Sequence, residues 1–230
     1  MRKAYIFLAG AIFMLTGFTT VAQQFQQTIL IQDARGELVG KRDHYLNVEG
    51  SPYLSSEWLT GDLKLPNLKV YKDLSIRYDE VEDLIYLKSG DDDNVMLKER
   101  PIEFNLAFPE EEGIIQRHFR LGFTDVPGTT PSSYFEVLED GKVKLLKRSS
   151  KIIQQNKEYN SNITVKSFFH VITYYLYRDG KGIAVKKDKK SIFGALGDKQ
   201  TELEAYVRNN KLNLKTDAGI EKLVGYYNTL

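Results

Sequence analysis

The three histidines are the side chains of this sequence best suited to metal binding or proton transfer, and they lie far apart, at His44, His118 and His170. None belongs to a ligand pair such as His-Glu-x-x-His, and the chain has no cysteine. A zinc site would therefore need histidines and carboxylates from distant strands. His170 falls within an aromatic segment, where a hydrogen-bonded packing role is favoured. We predict no metal site and no cofactor.

The acidic run Asp91–Asn94 does not match a calcium-binding loop. Counted from Asp91, the sixth position is Met96 and the twelfth is Ile102, where an EF-hand needs glycine and glutamate. No serine stands in a Gly-x-Ser-x-Gly elbow, and no glycine-rich phosphate loop is present. Paired carboxylates of a hydrolase remain an alternative, because their separation is set by the fold. We predict no catalytic residue.

Aromatic residues are the one compositional indication of a binding surface, with 14 tyrosines, 12 phenylalanines and one tryptophan. One predicted strand, Phe168 to Tyr177, carries rings on both faces. Burial on both sides is favoured for such a strand, and the alternative is that one face lines a groove or meets a partner. The candidate ligand or partner surface comprises Trp58, Phe168, His170, Tyr174, Tyr175 and Tyr177.

Charge is nearly balanced, with 32 basic and 31 acidic residues and a formal net charge of +1. A nucleic-acid partner is excluded from our expectations, because neutralising phosphates requires a basic surplus.

Short strand-like segments separated by turn residues predict a mainly β fold, a β-rich α+β domain with an antiparallel sheet arranged as a sandwich or an open barrel. The first two strands are expected at 26–32 and 45–49. Asp140-Gly141 and Asp179-Gly180 each join strand-like runs, and Asp-Gly favours the positive φ angles of a tight hairpin. The polar stretch 149–161 is predicted to be a mobile loop.

The helical tail, residues 189–230, has apolar residues at helical spacing and should form two or three helices packed on the sheet. Gly197 is expected to end one helix. Asp198 is expected to cap the next helix, and Thr216 or Asp217 the last.

The first 22 residues have the three parts of a secretory signal peptide. Arg2 and Lys3 are followed by an apolar run to Phe18 and by the small residues of Thr20-Val21-Ala22. We predict a signal peptide at 1–22 and a single exported domain at 23–230. A bacterial lipoprotein anchor needs a cysteine, which this chain lacks, and no later segment is long and apolar enough to span a membrane.

Several short motifs give the chain a resemblance to a group of uncharacterised exported proteins of the Bacteroidota. These motifs are Gly50-Ser51-Pro52-Tyr53-Leu54, Tyr78-Asp79, Tyr134-Phe135-Glu136-Val137-Leu138, Lys142-Val143-Lys144-Leu145-Leu146 and Tyr226-Tyr227-Asn228. The resemblance implies a Gram-negative envelope. Export by the signal peptide places the expected location in the periplasm or outside the cell, with peripheral attachment at the outer membrane as an alternative. It brings no activity, cofactor or catalytic residue.

Three classes of function follow from these observations. The first is a non-catalytic binding or protein-interaction module of the envelope, acting through a sheet face or edge. The second is a carrier of a lipid-like or other small apolar ligand, with the aromatic strand lining its cavity. The third is an unrecognised hydrolase. The oligomeric state is left open.

Overall fold

The computed structural model describes residues 37–39, 45–89, 93–97, 99–157 and 164–230. The predicted signal peptide, the strand expected at 26–32 and His44 lie outside the described residues. Of the acidic turn, only Asp93 and Asn94 are described, at the start of a strand.

Twelve strands and three helices make up the described chain. The strands are β1 (Glu37–Val39), β2 (Val48–Glu49), β3 (Leu59–Lys64), β4 (Val70–Asp79), β5 (Leu84–Ser89), β6 (Asp93–Met96), β7 (Glu103–Glu110), β8 (Gly113–Arg120), β9 (Phe135–Asp140), β10 (Lys144–Lys157), β11 (Thr164–Arg178) and β12 (Lys181–Val185). The helices are α1 (Lys189–Leu196), α2 (Gln200–Asn209) and α3 (Asp217–Tyr227). None of the helices in the described residues is long and apolar enough to cross a membrane.

The strands form one open sheet in the order β1-β6-β5-β4-β3-β7-β8-β9-β10-β11-β12, with β2 beside β11. Every pair in this path is antiparallel, and only the short β2–β11 pair is parallel. The prediction of a mainly β fold with an antiparallel, open sheet and C-terminal helices is confirmed.

The first half of the sheet, from β3 to β8, is curved, and the apolar side chains on its concave face form a core. Alternate side chains of β3 to β8 point into this core, among them Leu63, Leu74 and Leu87. The rings of Phe104 and Phe119 stack there with centroids 4.7 Å apart. This alternation is the period-2 pattern of a strand with one buried face.

The second half of the sheet is covered on both faces, except along the outer parts of β10 and β11. The three helices pack their apolar stripes against Leu145, Tyr174 and Leu176 on one face. The segment between β8 and β9 covers the other face, where Phe123 and Val126 contact Tyr175.

Contacts between the two halves show that the sheet curls strongly. The turn after β4 reaches β10, where the Lys151 backbone N–H donates to the Glu80 carbonyl at 2.9 Å. Four strands separate β4 from β10 in the sheet order, so this contact requires the sheet to bend towards closure. The sheet is nevertheless open, because β1 and β12, the two ends of the strand order, do not pair with each other in the described residues.

The two Asp-Gly hairpins differ in their turns. Asp179 and Gly180 have φ angles of 52° and 77°, as a tight hairpin requires, and this prediction is confirmed. At the β9–β10 connection Gly141 does not have a positive φ. The pairing of Lys144 with Asp140 leaves a three-residue loop there instead.

The helix boundaries confirm two predicted caps and correct a third. Gly197 ends α1 with a left-handed φ of 82°, and the Thr216 side chain accepts from the Gly219 N–H at the start of α3. The residue before α2 is Lys199, with no side-chain cap, so the prediction for Asp198 was wrong. The Asp198 carboxylate instead accepts from the Tyr227 hydroxyl at 2.7 Å.

Two strand predictions also need correction. The predicted strand 45–49 is reduced to the two residues of β2. The predicted mobile loop 149–161 was wrong for residues 149–157, because β10 continues to Lys157 and pairs with β11 along its whole length. The remaining residues of that stretch, 158–161, lie outside the described part of the chain.

Candidate functional site

The outer parts of β10 and β11 form a two-stranded hairpin that extends beyond β9, the neighbour of β10 over Lys144 to Lys147. We call residues 148–157 and 164–173 the hairpin arm; its register runs from Arg148 opposite Thr173 to Lys157 opposite Thr164. Pairing of β10 with β9 ends at Lys147. In the described residues, no strand adjoins the other edge of β10 along the arm.

The backbone of β10 offers hydrogen-bond donors at this edge. The Lys151 N–H points away from β11, because it donates to the Glu80 carbonyl at 2.9 Å. In an antiparallel pair the outward-facing residues recur at every second position. The N–H groups of Ile153, Gln155 and Lys157 therefore also face outwards. Such a row of backbone groups is a template for an additional strand.

Several large apolar side chains of the hairpin arm are exposed. Ile152 and Phe169 stand directly opposite each other and are 48% and 50% exposed. Ile153 and Ile172 lie on the other face, with Ile172 46% exposed. Phe168, opposite Ile153, is partly covered by the Tyr45 ring, with the two centroids 5.3 Å apart.

The hairpin arm carries only positive formal charges. It contains Arg148, Lys151, Lys157 and Lys166 and no aspartate or glutamate. Arg148 pairs with Asp83, and Lys151 pairs with Glu80. Lys157 and Lys166 form no ion pair with another described residue, and both are exposed. The exposed apolar side chains are thus accompanied by two lysines that have no acidic partner in the described part of the chain.

A buried polar cluster fixes the base of the hairpin arm to the body of the protein. The Ser149 hydroxyl contacts a carboxylate oxygen of Glu80, and it lies 2.6 Å from Nε2 of His170. Lys151 Nζ is 3.1 Å from Glu80 Oε2 and donates to the Tyr53 carbonyl. Glu80 and Ser149 are almost fully buried, whereas the His170 side chain is 44% exposed.

This cluster has the residue types of a hydrolytic triad in the wrong order. In a serine hydrolase the histidine lies between the serine and the carboxylate, and it accepts the serine proton. Here Ser149 lies in the middle, so its single proton donates to the Glu80 carboxylate. Ser149 then accepts from His170 and is not activated as a nucleophile. The arrangement anchors the hairpin arm.

Two further carboxylates, those of Asp83 and Asp79, fix the turn between β4 and β5. Arg148 binds both carboxylate oxygens of Asp83, at 3.0 and 2.5 Å, and the Tyr78 hydroxyl donates to the same carboxylate. Asp79 accepts from the Tyr45 hydroxyl and from the N–H groups of Val81 and Glu82. Burial raises the pKa of Asp79 despite these donors.

Three of the predicted surface residues pack inside the protein. Tyr174 is buried on the helix side, where its hydroxyl donates to Asp217 at 2.7 Å. Tyr175 is buried on the opposite face and donates to the Pro127 carbonyl. The half-buried Tyr177 ring lies 5.1 Å from the Phe123 ring. Near the C-terminal end of β11, the rings on its two faces therefore pack into two separate cores.

Trp58 packs beside β3 and is not part of the hairpin arm. Its ring is half-buried under the Arg77 guanidinium, 4.3 Å from the ring centroid, just before β3 begins. The predicted set therefore divides. Phe168 and His170 belong to the hairpin arm, and the other four residues do not.

Asp217 joins the helices to the sheet through a second ion network. It accepts from Lys147 at 2.8 Å and from Lys187 at 3.0 Å, in addition to Tyr174. Burial would raise the pKa of Asp217, but these three donors outweigh it and lower the pKa to about 2. Of the lysines in the segment 186–190, Lys187 pairs with Asp217 at 3.0 Å and Lys189 pairs with Glu204 at 2.9 Å.

The described residues contain no group of three histidine, aspartate or glutamate side chains placed to hold a metal ion. Sequence reasoning missed Glu80, Ser149 and Ile152 as parts of the site. Glu80 and Ser149 are 69 residues apart, and no local pattern marks either one.

A pocket of about 340 Å³ lies on the body of the protein, beside the turn after β4. Its lining includes Leu84, Met96, Arg100 and Tyr134. A smaller pocket of about 140 Å³ lies between β3 and β7. Neither of these two pockets is lined by residues of β11.

Comparison of the chain with protein-family models, with curated proteins and with solved structures finds no match.

Proposed function

We propose that this chain is an exported envelope protein whose hairpin arm binds an extended segment of a partner protein. The segment adds as a strand at the open edge of β10, between residues 152 and 157. The observation that carries this proposal is the coincidence of that edge with the exposed pair Ile152 and Phe169. Strand addition gains affinity from backbone hydrogen bonds and specificity from alternate side chains.

The chemistry of the hairpin arm defines the partner segment. Apolar side chains at alternate positions of the added strand would cover Ile152 and Phe169 on one face. Lys157 and Lys166 have no described acidic partner, so Asp or Glu is favoured between the apolar positions of the segment. The partner is therefore an extended acidic and apolar segment.

The envelope location rests on the sequence. The charged start, the apolar run and the small residues of 1–22 favour export, and the resemblance to exported proteins supports the same compartment. The hydrolase alternative is disfavoured by the position of Ser149 between His170 and Glu80. The cluster of Glu80, Ser149 and His170 therefore favours a structural role, as an anchor of the hairpin arm, over a catalytic one.

Selection from a library of random ten-residue peptides displayed without flanking structure tests this proposal. We expect the purified protein to enrich peptides that alternate apolar residues with Asp or Glu. Phe169→Asp should weaken their binding at least tenfold, about 1.4 kcal/mol. Ile114→Asp is the matched control, because Ile114 is 69% exposed on β8. Enriched peptides that are equally insensitive to both substitutions would refute the hairpin arm as the binding surface.

A second pair of variants separates strand addition from simple apolar contact. Gln155→Pro removes one outward N–H without touching the bonds to β11, whereas Gln155→Ala changes the side chain alone. Strand addition predicts that only the proline variant loses affinity. Equal binding by both variants would contradict a backbone-paired partner.

A further inference from the structure

The pocket beside the β4–β5 turn combines apolar walls with one positive charge. Leu84, Ile85, Met96 and Leu97 form the apolar part of its lining, and Arg100 lies among them. Its volume of about 340 Å³ is near the lower end of the range of about 300–1,000 Å³ typical of small-molecule sites. None of its lining residues belongs to the hairpin arm, although Arg148 of the arm pairs with Asp83 of the lining.

Arg100 is held firmly by one end of its guanidinium group. Nη1 donates to the carbonyls of Asp83 and Ser132, at 2.8 and 2.9 Å. The guanidinium carbon lies 5.9 Å from the centroid of the Tyr134 ring. These contacts fix the side chain in place before any ligand arrives, which lowers the entropic cost of binding.

The other edge of the same guanidinium has no partner among the described residues. Nε and Nη2 make no hydrogen bond there, and no described carboxylate lies within ion-pair distance of Arg100. These two groups form the fork that binds a carboxylate with two parallel hydrogen bonds. Arg100 thus has an oriented carboxylate-binding edge with no partner in the described part of the chain.

The one acidic residue of the pocket lining does not cancel this charge. Asp83 lines the pocket, but its carboxylate accepts two hydrogen bonds from Arg148 and one from Tyr78. Its negative charge is compensated by Arg148, so the pocket retains the positive charge of Arg100. The Tyr134 hydroxyl is also occupied, because it donates to the Pro101 carbonyl at 2.5 Å.

We propose that this pocket binds a small carboxylate with an apolar body. The carboxylate pairs with the Nε and Nη2 edge of Arg100, and the apolar body contacts Leu84 and Met96. A single guanidinium suits a monoanion better than a phosphate monoester, which carries close to two charges at neutral pH. The pocket lining contains no residue of the open edge of β10, residues 152–157.

A comparison of a carboxylate with its neutral amide tests the pocket. The probes are hexanoate against hexanamide and 4-phenylbutyrate against 4-phenylbutyramide, titrated into the full protein and followed by NMR. We expect shifts at the Arg100 Nε–H and at the methyl groups of Leu84 and Leu97, with at least tenfold tighter binding of an acid than of its amide. Equal binding of acid and amide, or no shift at these groups at millimolar probe, would overturn the proposal.

Two variants and a control locate the effect. Arg100→Gln should remove the tighter binding of the acid relative to its amide. Met96→Phe keeps the charge and fills the pocket, so it should weaken the binding of both the acid and the amide. Arg120→Gln is the control, because Arg120 pairs with Asp140 on the surface and lies outside the pocket lining. An Arg100→Gln variant that keeps the preference, or a Met96→Phe variant with unchanged binding, would place the probes elsewhere.

Discussion

The most consequential side chains of this protein are polar groups removed from water. Glu80 and Ser149 are buried at the base of the hairpin arm, where the Ser149 hydroxyl contacts Glu80 Oε1 and Lys151 Nζ lies 3.1 Å from Oε2. A buried polar group left without its partner costs free energy of about 1–3 kcal/mol. Such groups are retained where they hold a specific arrangement, and here they hold the arm against the turn after β4.

Removing the Ser149 hydroxyl should destabilise the protein measurably. Ser149→Ala leaves Glu80 without its hydroxyl donor and His170 without its hydrogen-bond partner, so we expect the free energy of unfolding to fall by about 1–3 kcal/mol. Ser150→Ala is the matched control and should change it by less than about 0.5 kcal/mol. Urea denaturation measures both. Indistinguishable midpoints for the two variants would contradict the anchoring role of Ser149.

Asp217 gives the protein a defined acid sensitivity. Its pKa in the folded state is about 2, against an ordinary value of 3.8. A lowered folded-state pKa contributes stability above the ordinary pKa, and the contribution is lost as pH falls towards the folded value. Solvent exposure of this carboxylate reduces the contribution to about 1 kcal/mol.

Asp217→Asn should therefore be less stable than the parent protein at pH 7 and nearly equal to it at pH 2. Urea unfolding at several pH values gives the difference directly. The expected gap narrows between about pH 4 and pH 2. A gap that stays constant across this range would show that the contribution of Asp217 does not depend on its charge.

Residues such as these were beyond sequence reasoning because their partners are distant in the chain. The Lys147–Asp217 contact joins positions 70 apart, and the Glu80–Ser149 contact joins positions 69 apart. Phe168 and His170 could be placed in the site, because aromatic residues on both faces of a strand are visible locally. The same signal also selected Tyr174 and Tyr175, which pack in two cores.

At the scale of elements, local chemistry predicted turns and caps better than strand lengths. The Asp179-Gly180 hairpin and the Thr216 cap depend on a few adjacent residues, and both are confirmed. The outer half of β10 lacks the alternation of a half-buried strand, because neither of its faces is covered along its length. Its conformation is set by pairing with β11, which the sequence of β10 alone does not reveal.

Two glycines with opposite environments test the packing of individual elements. A Cβ added at Gly61 in β3 would lie 2.1 Å from the Asn105 carbonyl oxygen in β7, whereas one added at Gly194 in α1 would meet nothing within 4 Å. We expect Gly61→Ala to destabilise the protein by about 1–3 kcal/mol. Gly194→Ala should stabilise it by about 0.5–1 kcal/mol through helix propensity.

Thermal unfolding of the two glycine variants provides the measurement. The midpoint should fall for Gly61→Ala and rise for Gly194→Ala. A neutral Gly61→Ala would mean that β3 and β7 approach each other less closely than the Asn105 contact indicates.

At the scale of the whole molecule, the curled sheet creates the site. Its curvature brings the turn after β4 against β10, where Arg148 and Lys151 bind Asp83 and Glu80. The last residue of β10 in this contact is Lys151, and the open edge of β10 begins at the next residue, Ile152. The fold class followed from strand spacing and turn residues, but the curvature depends on contacts across four intervening strands and has no local signature.

In the proposed function, the outward N–H groups at the open edge of β10 bind an extended segment of a partner protein. Amide hydrogen exchange of the protein, followed by NMR with and without a peptide selected as described above, tests this binding most directly. We expect the bound peptide to slow exchange at Ile153 and Gln155 while leaving Ile114 unchanged. Unaltered exchange at Ile153 and Gln155 with peptide bound would contradict strand addition and would place the binding surface elsewhere.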